Sequence, residues 1–199
     1  MSEALRLTAP VYRDLGLRHW LLAESGAFDR TGRVLADGHY SRRKPGARQF
    51  MPPGQRFALI TRDGASVWGW WRPHPSSGIR AMNGLDGWTC TIFRRTDGVI
   101  ASELVLDAEL AIGALGFGCG PHGLLTYVWD AKVRRKRDPG RCFRKAGWHP
   151  AGKCAECRAI RPRSADGRKT LLHKPFALAG ERPAPPAPAD SPLEAEVKK

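Results

Sequence analysis

The sequence lacks any apolar run long enough to span a bilayer, so a membrane-spanning protein is not expected. The N-terminus also lacks the charged-then-apolar pattern of a secretory signal peptide, and this predicts a cytoplasmic location. Five cysteines form an odd set, which in a chain without such a signal favours reduced thiols over a disulfide framework. With 199 residues the chain is long enough to bury a core, most simply in one domain followed by a tail.

Acidic residues are scarce: 19 Asp and Glu residues stand against 33 Lys and Arg residues, for a net charge of +14. Such a field attracts polyanions, and nucleic acid is the commonest of these in a cell. An anionic membrane is the rival partner, but no basic amphipathic helix with bulky apolar residues is visible. Because the positive charge is clustered along the chain, nucleic acid is the expected partner, with a solvated charged surface as the alternative. The charge is concentrated in two clusters: Arg42, Arg43, Lys44 and Arg48, and Lys132, Arg134, Arg135, Lys136 and Arg137.

The hydrophobic pattern predicts an α+β domain over residues 1–180, with one mixed, mostly antiparallel sheet and helices on both faces. Three adjacent antiparallel strands are expected early in the sheet, with Asp63-Gly64 as the first hairpin turn. Residues 181–199, rich in Pro, Ala, Glu and Lys, are predicted to be disordered. Helices are predicted at 12–24, 27–38, 102–115 and 140–146, and strands at 57–60, 67–71, 88–93, 124–129, from Trp148 onward, and at 170–173.

The strand predicted at 124–129 ends at Asp130, and a basic segment and a short helix follow it. Open sheets place reactive groups just beyond the carboxyl ends of their strands, so Asp130 is a candidate base for an amine substrate. The alternative is a solvated turn aspartate that pairs with Lys132 or Arg134. The short helix is expected to begin after an Asp138 cap with Pro139 at its first position, and to end at Gly147.

Two further groups of residues have the chemistry of a site. Tyr40 can donate a proton or stack on a base, although a half-buried aromatic that closes a helix has the same pattern. His39 beside it can act as a base or a ligand, although a lone histidine is more often structural. Cys154-x-x-Cys157 is half of a zinc pattern, and its second half would have to come from Cys142, His149 or His173. Since that second pair is missing, no metal ligand is assigned.

The segment Arg95-Thr96-Asp97-Gly98-Val99-Ile100-Ala101 resembles the Arg/Gln-x-x-Gly-x-Gly/Ala turn of the GNAT acyltransferases, with one extra residue before Ala101. In that family the turn joins the fourth strand to a helix, and its amides hold the pyrophosphate of coenzyme A. The resemblance implies acetyl-coenzyme A as cofactor, bound by Arg95, Gly98, Ala101 and Ser102. Phe143 falls where the family often has a tyrosine that protonates the leaving thiolate.

His39-Tyr40-Ser41 ahead of a basic loop, together with Tyr127-Val128-Trp129-Asp130 at a strand end, looks like the phage Mom family. Mom proteins are GNAT-like and convert adenine in phage DNA to a carbamoylmethyl form that protects it from restriction. This resemblance implies catalytic roles for Tyr40 and Asp130, with His39 adjacent, and transfer of an acyl-coenzyme-A-derived group to a DNA base. The alternatives are a conventional N-acetyltransferase for a small amine or protein, and a basic DNA-binding protein without catalysis.

Overall fold

The computed structural model describes residues 10–74, 79, 82–96, 98–133, 138–153, 157–164 and 166–176. Its centre is an eight-stranded sheet in the order β1-β2-β3-β4-β5-β6-β8-β7. The strands are β1 (Tyr12–Asp14), β2 (Trp20–Ala23), β3 (Gln55–Thr61), β4 (Ser66–Arg72), β5 (Trp88–Arg95), β6 (Leu124–Val128), β7 (His149–Pro150) and β8 (Thr170–Lys174). The α-helices of the described residues are α1 (Arg30–Asp37), α2 (Ala101–Ala114) and α3 (Arg141–Lys145).

The predicted class is confirmed: the fold is α+β with a mixed, mostly antiparallel sheet, and among the strands of the described residues only the β5–β6 pair is parallel. The predicted early meander is also confirmed, because β3, β4 and β5 are consecutive antiparallel neighbours. No helix in the described part of the chain is long and apolar enough to cross a membrane. The predicted tail lies outside the described residues.

The helix predicted at 12–24 is wrong, because this segment forms the antiparallel strands β1 and β2. Trp20 and Leu22 alternate into the core, as they do in a strand that is buried on one face. The chain turns at Gly16, whose φ of 75° favours glycine. Asp107 of α2 then fixes the entry to β2, since its carboxylate accepts hydrogen bonds from the backbone amides of Arg18 and His19 at 3.2 and 2.7 Å.

The other helix predictions hold with shifted ends. Asp29 caps α1 by accepting from the amide of Gly32 at 2.7 Å, and Gly38 follows its last turn. α3 begins one residue later than predicted, and Asp138 is not its cap, because Gly140 occupies that position with φ 75°. Asp138 instead forms an ion pair with Arg144. The strand expected from Trp148 is reduced to the two residues of β7.

Two apolar clusters form along β3, whose side chains alternate between them. Phe57 and Leu59 belong to a tryptophan-rich cluster that includes the buried residues of α2, whereas Ala58 and Ile60 belong to a second cluster that includes residues of α1. Indole groups bind α2 to the sheet, because Trp20 and Trp70 donate to the carbonyls of Leu104 and Ala108 at 2.8 and 2.9 Å. Truncating a buried tryptophan of this kind costs about 3–5 kcal/mol.

The sheet opens between its two parallel strands. The register of β4 against β5 shifts so that Thr91 is an extra residue between Cys90 and Ile92. A bulge of this kind bends the strand and ends regular pairing. β5 and β6 accordingly pair only from Trp88 to Cys90 on β5, although both strands continue beyond that point. The carboxyl ends of β5 and β6 therefore diverge and leave a gap in the sheet.

Candidate functional site

Two cavities lie at the gap between β5 and β6. The first has a volume of about 710 Å³ and reaches from the gap to Ala101 at the start of α2. The second has a volume of about 660 Å³ and reaches the loop that follows α1. Ser41, Cys90, Thr91 and Tyr127 line both cavities, so the two spaces adjoin at the point where the parallel strands stop pairing. Both volumes lie in the range of ordinary ligand pockets.

The first cavity brings together residues that are distant in the sequence. Its walls come from the His39–Ser41 segment, the end of β5, the turn after β6 and the start of α3. Gly98 and Ser102 belong to the turn and the helix end next to Ala101. Five of the predicted site residues line the first cavity: His39, Tyr40, Arg95, Ala101 and Lys132.

Tyr40 is held at the gap as a protonated phenol. Burial raises its pKa to about 12, a backbone hydrogen bond with Trp129 opposes this, and the nearby Cys90, Cys142 and Asp130 add to the increase. At neutral pH the hydroxyl therefore carries its proton. Its chemistry in this cavity is that of a proton donor, or of a hydrogen-bond donor to a developing negative charge.

His39 lies against Tyr40, with ring centroids 4.2 Å apart. Burial and the nearby charge of Arg94 lower its pKa to about 4, so the ring is neutral at pH 7. The Ser41 amide donates to His39 Nδ1 at 3.3 Å, which leaves the ring proton on Nε2. In this tautomer the proton is on Nε2, and the imidazole ring packs against the ring of Tyr40.

Asp130 follows Val128, the last residue of β6, by two positions. It is not among the residues that line either cavity. The hydroxyl of Thr170 donates to its carboxylate at 2.7 Å, and the guanidinium of Arg163 lies 3.7 Å away. The sequence alternatives paired it with Lys132 or Arg134, whereas Lys132 lies over the ring of Trp129 at 5.5 Å. Asp130 acts on Tyr40 through its charge, and its role as a base stays a prediction.

Phe143 is a core residue. It is 7% exposed, and its ring packs against Trp68, Phe93 and Trp148, with centroids 5.2–6.0 Å apart. It also lines the first cavity, but it has no ionisable proton. Tyr40 lines the same cavity and can donate a proton there.

The turn from β5 into α2 is held by Arg95, whose guanidinium donates to the carbonyls of Gly98 and Val99 at 3.1 and 2.8 Å. Amides of a helical first turn have no acceptor within the helix, and Ala101 in that turn lines the first cavity. Arg94 also lines it, with its Nε buried and without a hydrogen-bond partner among the described residues. The first cavity thus combines a helix N-terminus with an unsatisfied cationic donor, which suits an anion.

The first basic cluster divides between two roles. The guanidinium of Arg42 is occupied inside the protein, since it bonds the carboxylate of Asp37 and the carbonyls of Ala47 and Gln49 at 2.7–2.9 Å. Arg43 and Lys44 are exposed and line the second cavity. Arg42 therefore shapes the loop, and its two neighbours present charge to a ligand.

Some of the other basic residues also lie at the second cavity, and some do not. Arg48 lies over the ring of Phe28 at 5.7 Å. Lys169 lines the second cavity, and its ammonium group lies over the ring of Trp129, as that of Lys132 does. Nothing in the sequence singled out Lys169, because only the pairing of β8 with β6 brings it there. The rest of the second predicted cluster lies outside the described residues, namely Arg134, Arg135, Lys136 and Arg137.

A separate group of possible metal ligands lies near the far edge of the sheet. His149, Cys157 and His173 place one ligand atom each within 4.8 Å of one another. The expectation of reduced thiols is met by Cys90, Cys119 and Cys142 and is wrong for Cys157, which is disulfide-bonded in this structure. Cys154, the other residue of the predicted half-pattern, lies outside the described residues.

Comparison with known proteins gave no match: no family model, no curated protein and no solved structure is similar to this chain at a significant level. The geometry of the gap and its chemistry are therefore the basis for the function.

Proposed function

We propose that this protein is a GNAT-like, Mom-like enzyme that transfers an acyl-coenzyme-A-derived group to a base of double-stranded DNA, with adenine as the expected target. The observation that carries the proposal is the pair of adjoining cavities at the gap between β5 and β6. A group transfer needs a donor and an acceptor that meet at one point, and two cavities sharing Ser41, Cys90, Thr91 and Tyr127 provide such a point.

The first cavity suits the coenzyme. Arg94, Arg95, Lys132 and Arg141 supply positive charge against one acidic lining residue, Asp138. Phosphates favour this balance, and a helix N-terminus at Ala101 adds oriented amides. The strand–turn–helix–strand order from β5 through α2 to β6 matches the order expected from the resemblance. Residues of α1 and α2 belong to different core clusters, and this supports the expectation that helices cover both faces of the sheet.

The second cavity suits the DNA. Arg43, Lys44 and Lys169 line it and can bind phosphates on either side of an extruded base. An enzyme that modifies a base must first take that base out of the stack, and a cavity of about 660 Å³ can accept one. The apolar and aromatic residues Met51, Trp71 and Tyr127 in its lining favour a flat ring.

The chemistry assigned to the gap is acyl transfer, whose product is an N-acylated base and not the carbamoylmethyl form that Mom proteins make. The exocyclic amine of the base attacks the thioester carbonyl, the C–S bond breaks, and the coenzyme leaves as a thiolate. Tyr40 donates its proton to that thiolate, in place of the tyrosine that Phe143 replaces. The proton lost by the amine passes to a base, for which Asp130 is the predicted candidate once it exchanges its contact with Thr170.

The function is tested by nucleoside mass analysis of plasmid DNA from cells that make the protein. A new modified nucleoside, absent from cells with the empty vector, is the expected result. Unmodified DNA, together with acetylation of a small amine or protein, would favour a conventional N-acetyltransferase. Unmodified DNA with tight DNA binding and no coenzyme binding would indicate a non-catalytic DNA-binding protein.

Acetyl-coenzyme A is expected to raise the melting temperature of the wild type by mass action, and Ala101→Asp is expected to remove the rise. A carboxylate at the first position of α2 repels the phosphates, yet it stabilises a helix N-terminus, so lost binding would not reflect a weakened helix. Gly98 is the poorer position, because its φ of 87° and the nearby Asp63 carboxylate would strain any side chain. Differential scanning fluorimetry measures both shifts.

The matched control is Leu106→Asp, which places the same charge on an exposed position of the same helix. It should keep the coenzyme-dependent shift. No shift in the wild type at millimolar acetyl-coenzyme A would contradict the transferase assignment, and a normal shift in Ala101→Asp would place the coenzyme elsewhere.

The double variant Arg43→Ala/Lys44→Ala is expected to weaken duplex binding and to flatten its salt dependence. Each phosphate contact contributes about 0.9 to the slope of log K against log salt, so two contacts should reduce the slope by roughly 2. Fluorescence anisotropy at several salt concentrations measures the slope. The control Arg13→Ala/Arg62→Ala removes the same charge from paired surface residues near β1, and an equal loss of slope there would mean that binding follows net charge alone.

A further inference from the structure

We propose that His149, Cys157 and His173 bind a structural zinc ion when Cys157 is reduced. The three residues come from two strands and a loop: His149 from β7, His173 from β8 and Cys157 from the segment between them. Their ligand atoms lie within 4.8 Å of one another. Tetrahedral zinc with ordinary Zn–N and Zn–S bonds separates its ligand atoms by about 3.3–3.6 Å, so small side-chain rotations suffice to close the site.

The strand register brings the two histidines together. His149 is the direct antiparallel partner of His173, and their ring centroids are 5.5 Å apart. Directly opposed side chains on neighbouring strands lie on the same face of the sheet. His173 is 2% exposed, so its imidazole is held within the fold and not in solvent.

The backbone of the loop turns around Cys157. Its carbonyl accepts from the amides of both Gly152 and Ile160, at 3.0 and 2.9 Å. The cysteine is fully buried, in an apolar cluster with Ala151, Ile160 and Leu171. Such a shell excludes water from the thiolate, and this favours a closed, structural metal site over one that binds substrate.

The ligand chemistry selects zinc. Imidazole and thiolate are the ligands of structural zinc sites, whereas magnesium and calcium take oxygen ligands. The sequence also supplies Cys154, at the C-x-x-C spacing by which two cysteines share one zinc ion. That spacing alone predicts Cys154 as the fourth ligand, since the residue lies outside the described part of the structure.

A zinc ion at this position would stabilise the edge of the sheet. β7 is an edge strand of only two residues, and the segment 151–169 connects it to β8. A long connection of this kind usually needs a staple or a function of its own. Zinc bonded to β7, β8 and the loop would fix all three. The disulfide of Cys157 is the oxidised alternative for the same sulfur, and it cannot supply a thiolate ligand.

The test uses the full chain, purified and kept under a phosphine reductant. Elemental analysis is expected to find about one zinc per chain. Cobalt should replace the zinc and give the ligand-field and thiolate charge-transfer bands of tetrahedral coordination. His149→Ala, Cys157→Ser and His173→Ala should each weaken metal affinity more than about tenfold, and Cys154→Ser should do the same if it is the fourth ligand.

Two controls and one rescue separate metal ligation from loss of fold. Cys119→Ser and His74→Ala remove the same side-chain types elsewhere and should retain the zinc. His149→Cys should also retain it, with a stronger thiolate-to-cobalt band, even if the alanine variants fold poorly. Reduced wild type without zinc, a different bound metal, or a cobalt spectrum unchanged in His149→Ala and His173→Ala would each overturn the proposal. Zinc binding does not depend on DNA modification, so the two proposals fail independently.

Discussion

Tyr40→Phe is expected to reduce base modification in recovered plasmid by a factor on the order of 10²–10⁴, the range of a lost general acid. The variant keeps the ring that stacks on His39 and removes only the hydroxyl, whose raised pKa of about 12 keeps it protonated at neutral pH. No proton can come from Phe143, so nothing at that position replaces the lost group. Duplex affinity and melting temperature should change little, because the hydroxyl contributes one backbone hydrogen bond.

The control for this prediction is Tyr12→Phe, which removes another tyrosine hydroxyl that is hydrogen-bonded within the protein, to Thr31 at 3.1 Å. It should retain full modification. Asp130→Asn belongs to the same series: a comparable loss would support its role as the base, and full activity would leave it as a partner of Thr170. Wild-type modification by both Tyr40→Phe and Tyr40→Ala would remove Tyr40 from the mechanism.

Local patterns predicted most of the sheet. Asp63-Gly64 identified the β3–β4 hairpin, and the spacing of Leu104, Ala108 and Ile112 identified α2, because each signal depends on residues close in the sequence. The segment 12–24 was misassigned as a helix, since the side chain that fixes the start of β2 is Asp107, far along the chain. A contact of this range leaves no local signal, and tertiary packing outweighs weak helical periodicity.

The candidate site was predictable in its parts but not in its assembly. His39-Tyr40 and the turn at Arg95 could be singled out from residue type and spacing. Arg94, Cys90 and Lys169 could not, because their positions depend on the extra residue Thr91 and on the pairing of β8 with β6. The group of possible metal ligands shows the same limit: the sequence left Cys142, His149 and His173 open as partners of the C-x-x-C half, and only the register of His149 against His173 shows that these two lie together.

A buried acid on α2 gives a large expected effect on stability. Glu109 accepts from the indole of Trp148 and from the ammonium of Lys174, both at 2.6 Å, and its side chain is 8% exposed. Glu109→Ala leaves both donors without this acceptor and should cost on the order of 3 kcal/mol in the free energy of unfolding. Alanine is the better helix former, so helix propensity cannot explain such a loss. Chemical denaturation measures it, and Glu103→Ala, at a half-exposed position of the same helix, should stay within about 1 kcal/mol.

Glu109→Gln separates the charge of this residue from its hydrogen bonds. Burial raises the pKa of Glu109, and the bonds from Lys174 and Trp148 only partly oppose it, so ionisation of this carboxyl costs folding stability. Glutamine keeps an acceptor for Trp148 and should therefore cost clearly less than alanine at pH 7.

A carboxyl whose folded pKa is raised binds protons more readily in the folded state. Its contribution to folding stability is therefore present below about pH 4.5 and is lost as the pH rises through the folded pKa. Lowering the pH through this window should thus favour the wild type over Glu109→Gln, since all other titrating groups are shared. Equal losses in the glutamine and alanine variants at pH 7 would show instead that the ionised carboxylate itself holds Lys174 and the end of β8.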